Sequence, residues 1–108
     1  MLSKAVAAAV GPHAALVVAT AASRTTDVIA ALRAAGQGNT VVLLIEPGVA
    51  AIDRAMLLAA LGPLAVALAP VRIAAVDVAE GAAEERVVAA ASYLAVAQST
   101  TGQYLRVV

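Results

Sequence analysis

The 108-residue chain contains no cysteine, tryptophan or phenylalanine, and only one histidine. Without cysteine there is no disulfide framework, no thiolate nucleophile and no Cys-based zinc site. A single histidine among scattered carboxylates leaves too few good ligands to predict a metal centre. Charge of one sign is also missing: seven basic and seven acidic residues sum to zero. Electrostatic capture of nucleic acid or of an anionic membrane therefore has no support. The uncharged apolar run Ala55 to Val71 is bounded by Arg54 and Arg72 and interrupted by Gly62-Pro63. It falls short of the roughly 20 residues a membrane span requires, so no transmembrane helix is predicted. The start, Met1-Leu2-Ser3-Lys4, lacks a leucine-rich segment, and no signal peptide is predicted.

What the chain does have is apolar bulk of a particular kind. Hydrophobic residues make up 63% of it, against roughly 45–50% in an ordinary soluble domain. Much of that fraction is alanine, and aromatics are only 2%. Small side chains bury little area each, at roughly 25 cal/mol per Å². A chain this short and this apolar is expected to form one domain over residues 1–108, with part of its surface covered by another subunit or domain.

Local patterning divides the chain into alternating helices and strands. Ser3 to Val10 is a run of helix formers stopped by Gly11-Pro12. Leu16 to Ala19 is a short apolar run that reads as a strand buried on both faces. Val28, Ile29, Leu32 and Ala35 fall at helical spacing, and Gly36-Gln37-Gly38-Asn39 ends that helix. Thr40 to Ile45 is the clearest strand, closed by Glu46-Pro47-Gly48. A helix follows from about Ala50 to Ala69, with a kink expected at Gly62-Pro63. Val71 to Val78 is a third strand, and Glu84-Glu85 open a helix to about Gln98. After a turn at Ser99 to Gly102, Gln103 to Val108 form the last strand. Strands that are continuously apolar and alternate with helices predict a parallel sheet covered by helices, an α/β fold.

Candidate chemistry is sparse. Between the first strand and its helix a dinucleotide site needs G-x-G-x-x-G, so that backbone can approach pyrophosphate. The chain has Thr20-Ala21-Ala22-Ser23-Arg24-Thr25 there. Glu46 ends the second strand where a ribose-binding acid could sit, but reads better as a turn carboxylate. Ser23, Thr25, Thr26 and Asp27 are accounted for by helix capping, and His13 by a surface loop. Arg54 beside Asp53 reads as a solvated helix face. Tyr93 and Tyr104 have packing or interface roles as their default. No catalytic constellation emerges from the residue pattern.

With PLAVALAP over Pro63 to Pro70, VRIAAVDV over Val71 to Val78 and TGQYLRV over Thr101 to Val107, the last third of the chain resembles the C-terminal end of short-chain dehydrogenases/reductases of the ketoreductase-like branch. Family phrases such as "SLAVELAP" and "VRVNAVAPG" correspond to PLAVALAP over Pro63 to Pro70 and VRIAAVDV over Val71 to Val78. An acidic helix start followed by "VAAAVLFLAS" matches Glu84-Glu85-Arg86-Val87-Val88-Ala89-Ala90-Ala91-Ser92-Tyr93-Leu94-Ala95. "TGQVLRVDGG" matches Thr101-Gly102-Gln103-Tyr104-Leu105-Arg106-Val107. More loosely, Ala5 to Val18 resembles "VDAAVARFGRLDVLVNNAG", and Ala31 to Gly36 before Thr40 to Ile45 resembles "MRAAGGGRIVNISS". The resemblance implies a Rossmann-like, three-layer parallel sheet of about four strands with helices on both faces. It also implies that the chain covers the family's second half, without the glycine-rich first half.

Carried over position by position, the resemblance puts Ala50 at the tyrosine acid and Arg54 at the lysine four residues later. The catalytic serine position falls within Ile45-Glu46-Pro47, the "NNAG" turn becomes Ala19-Thr20-Ala21-Ala22, and the asparagine has no counterpart. No tyrosine precedes Tyr93, so the loss of the acid does not depend on register. No catalytic, cofactor-binding or metal residue is therefore assigned, and no cofactor is expected. The resulting expectation is a degenerate, non-catalytic domain acting as a structural or partner-stabilising subunit. Its assembly would be of the acyl-processing ketoreductase type, in the cytoplasm. Its partner would be a second copy or an intact short-chain reductase subunit, since removal of the first half opens the edge of the strand at Leu16 to Ala19. The alternative is a small α/β ligand-binding module for a nucleotide or an acyl thioester. A von Willebrand A-like domain would need a D-x-S-x-S motif, which the sequence lacks.

Overall fold

A computed structural model of the chain describes residues 2–36, 40–97 and 101–108. Four helices and four strands alternate: α1 Leu2–Val10, β1 Ala15–Ala19, α2 Thr25–Ala35, β2 Val41–Ile45, α3 Ala51–Leu68, β3 Ile73–Val78, α4 Glu84–Val96 and β4 Gln103–Val107. Every predicted element is present, with ends displaced by one or two residues. The expected turn residues 37–39 and 98–100, including the predicted helix end at Gln98, lie outside the described residues.

The strands form one all-parallel sheet in the order β1-β2-β3-β4. Side chains alternate across a strand, and here both sets are apolar because both faces are covered. Val42, Leu44, Ala74 and Val76 pack against α1 and α4 through Val6, Val10, Val87 and Ala91. Val41, Leu43, Ile45, Ile73 and Ala75 pack against α2 and α3 through Val28, Leu32, Leu57, Leu61 and Leu64. The three-layer α/β arrangement expected from the sequence is thus present. β2 and β3 are buried along their whole length. β1 lies at the sheet edge and is half-buried except at Ala19, not buried on both faces as its apolar run predicted.

Successive strands step in one direction across the sheet, yet α2 and α3 cover one face and α4 the other. The β3–α4–β4 crossover therefore has the opposite hand from β1–α2–β2 and β2–α3–β3. At least one of the three departs from the right-handed preference of such units.

α3 continues through Pro63. Ala59 and Pro63 both lie on its exposed side, so the carbonyl deprived of its donor can turn to water. This helix is long and apolar enough by composition to cross a membrane; in this fold Leu57, Leu61 and Leu64 hold it against the sheet. At the far end of α3, the chain re-enters the sheet through a two-bond clip. The Ile73 N–H donates to Thr101 Oγ1 at 3.1 Å, and the Gly102 N–H donates to the Ile73 carbonyl at 2.7 Å. Gly102 has φ +72°, and a Cβ there would lie 3.2 Å from that of Ala65. Both the backbone conformation and the close approach of α3 require glycine.

Candidate functional site

The change of face between α3 and α4 creates a crevice. After β2 the chain turns toward the α2/α3 face; after β3 it turns toward the α4 face. Connections that part in this way leave a gap at the carboxyl ends of adjacent strands, where open α/β sheets bind ligands. A cleft of about 450 Å³ occupies that place, lined by the β2–α3 connection, the start of α3, the end of β3 and Arg106 of β4.

Its polar centre is Asp77. This carboxylate sits on β3 with only 3% of its side chain exposed, between two arginines. Arg54, in the first turn of α3 and 15% exposed, pairs with Oδ1 through Nη1. Arg106, 52% exposed, donates from Nη1 to Oδ2 at 2.8 Å. The second terminal nitrogen of Arg54 donates to the Glu46 carbonyl at 2.7 Å and reaches those of Pro47 at 3.3 Å and Val49 at 3.4 Å. A buried carboxylate is tolerable only when its lone pairs are taken up by such partners. Asp77 thus fastens α3, the β2–α3 connection and β4 to the central strand.

Arg54 is accordingly not part of a solvated helix face. Its neighbour Asp53 is also engaged, accepting a hydrogen bond from Thr25 Oγ1 at 3.0 Å. That contact corrects the capping assignment too. The N-cap of α2 is Arg24, without a side-chain cap bond. The Thr25 hydroxyl ties α2 to α3 instead, and Ser23 Oγ accepts the Thr20 N–H at 3.0 Å within the preceding turn. Thr26 and Asp27 lie inside the first turn of α2 rather than at its cap, where the acid Asp27 is favourably placed. His13 is exposed in the turn after α1, and Glu46 is half-buried at the end of β2. Tyr93 and Tyr104 are 58% and 48% exposed, outside the core.

Residue pattern alone missed Asp77 and Arg106. The available signal was a lone acid in the otherwise apolar run Ile73 to Val78, since a charge in a buried strand demands a partner.

A family model described as short chain dehydrogenase-like protein matches residues 6–107. The chain belongs to this family. No curated protein and no solved structure matches it. Within this short-chain dehydrogenase-like domain, the segments aligned with the family's serine and lysine do meet: Arg54 Nη2 lies 2.7 Å from the carbonyl oxygen of Glu46. Ala50, aligned with the tyrosine, is the N-cap of α3. Ala19 to Ala22, aligned with the cofactor turn, close β1 and lead into α2. The short-chain dehydrogenase-like scaffold therefore brings the three segments to one end of the sheet, where the cleft opens.

Proposed function

We propose that this short-chain dehydrogenase-like domain is a non-catalytic, structural or partner-stabilising subunit. It would act in the cytoplasm within an acyl-processing, ketoreductase-type assembly. Two features support the loss of catalysis. Ala50 offers no proton at the position aligned with the acid, and Arg54 is committed to Asp77 and three carbonyls. A permanently charged guanidinium in that setting cannot act as a lysine that assists a tyrosine.

The observation that carries the partner role is the outer edge of β1. Its sequence, Ala15-Leu16-Val17-Val18-Ala19, has none of the charges or prolines that discourage edge-to-edge pairing. The Ala15 N–H and the Ala19 carbonyl bond to the β2 side. By the alternation of a parallel ladder, the N–H and C=O groups of Leu16 and Val18 point outward. Among the described residues no strand meets them. The other edge, β4, carries Gln103 and Arg106. The favoured occupant of the β1 edge is a strand of a second copy or of an intact reductase subunit.

Size-exclusion chromatography with light scattering, repeated with NADH and NADPH titrated in, tests both halves of this reading. The expected result is a homo-oligomer or a co-purifying reductase, with no saturable cofactor binding. A dilute monomer that binds a nicotinamide cofactor tightly overturns it.

A further inference from the structure

We infer that the cleft between the ends of β2 and β3 binds a small monocarboxylate with an apolar body, its carboxylate held by Arg106. This goes beyond the structural role and stands independently of it, because light scattering reads assembly and ligand titration reads the cleft. The volume of about 450 Å³ lies in the range of small-molecule sites. Pro47, Val49, Ala51, Ala55, Leu58 and Val78 supply an apolar wall, which suits an aliphatic chain.

The charges select the head group. Arg54 and Asp77 neutralise one another, and the free hydrogen-bonding capacity of Arg54 is largely taken by main-chain carbonyls. Arg106 is different. Asp77 fixes its guanidinium through Nη1 alone, and the group remains half-exposed on the cleft wall. Its Nε and Nη2 have no protein partner among the described residues. A guanidinium held in place with donors to spare is preorganised for a carboxylate. The start of α3 adds unsatisfied N–H groups of the same preference, since Ala50 provides no side-chain cap. Glu80, on the same cleft wall, opposes a second negative charge. A carboxylate is therefore favoured over a phosphate dianion.

The probes are hexanoate, hexanol and hexyl phosphate, titrated at millimolar concentrations into the ¹⁵N-labelled chain and followed by amide chemical shifts. Hexanoate is expected to shift Val49, Ala51, Val78 and Ala79 saturably, and to bind more tightly than either other probe. Arg106→Gln is expected to weaken hexanoate by about tenfold or more, the scale of a charge-assisted hydrogen bond. Because Arg106 also contacts Asp77, its variant is accepted only if the amide spectrum away from the cleft is unchanged. A second variant, Glu80→Gln, leaves the Asp77 cluster intact and is expected to narrow the preference for hexanoate over hexyl phosphate. The inference is overturned by any of four results: no saturable shift at these amides, hexanol or hexyl phosphate matching hexanoate in the native chain, an Arg106→Gln variant that binds hexanoate as tightly as the native chain, or a Glu80→Gln variant with unchanged preference.

Discussion

At the scale of single residues, two kinds of position outside the apolar core are sensitive to substitution: a buried charge with its partners, and a positive-φ glycine in close contact with a neighbouring helix. Removing Asp77 would leave Arg54 largely buried without its counter-ion, and breaking a buried pair from one side costs about 3–5 kcal/mol. Asp77→Ala is therefore expected to lower unfolding free energy by about that amount in urea denaturation. Replacing both members, as Arg54→Met with Asp77→Leu, is expected to recover most of the loss, since well-packed apolar pairs can stand in for buried ions. A double variant as unstable as Asp77→Ala would show that the cluster holds the fold by more than mutual neutralisation. The glycines give a cleaner comparison. Gly102 and Gly81 both have positive φ, but a Cβ at Gly81 meets open space, whereas at Gly102 it meets Ala65. Gly81→Ala is expected to cost about 1 kcal/mol from backbone conformation alone. Gly102→Ala should cost clearly more in the same denaturation series.

At the scale of elements, α3 carries the most conflicting demands. It must bury Leu57, Leu61 and Leu64 against the sheet, present Arg54 to Asp77 and leave room for Gly102. Pro63 serves none of these needs, being exposed in the helix interior. An interior proline lacks one hydrogen bond and is about 3 kcal/mol less favourable than alanine, partly offset by its stiffer unfolded chain. Pro63→Ala is thus expected to raise stability by about 1–3 kcal/mol, visible as a later thermal midpoint. An unchanged or lowered midpoint would mean that the proline is matched to its tertiary surroundings. The elements themselves were legible in the sequence because local signals agreed: short apolar runs for β2 and β3, Gly11 after α1, and acids at the start of α4. Local hydrogen bonding was less legible. Ser23 and Thr25 have the chemistry of caps, yet one bonds within its own turn and the other reaches Asp53 on another helix.

At the scale of the whole molecule, the excess apolar content is visible on the surface. Ile52, Met56 and Val66 of α3 are 69%, 51% and 81% exposed, and the outward groups of β1 have no partner strand. If assembly runs through that edge, Val18→Pro should abolish it selectively. Proline removes an outward donor but leaves the odd-numbered residues that bond to β2. Light scattering is expected to show a shift to monomer while thermal unfolding stays cooperative. An oligomer that survives the substitution would place the contact elsewhere.

Periodicity, apolar continuity and helix-ending residues by themselves determined the eight elements and the parallel α/β class, because those signals act over neighbouring residues. Ordered matches along the chain likewise placed it within the short-chain dehydrogenase-like family. Only the tertiary structure decided that α4 crosses to the face opposite α2 and α3, which opens the cleft. Nor could the spacing of Arg54, Asp77 and Arg106 reveal their union. Positions 23 and 29 residues apart meet only when parallel strands and a helix start bring them to one end of the sheet. There the low-dielectric interior makes pairing obligatory.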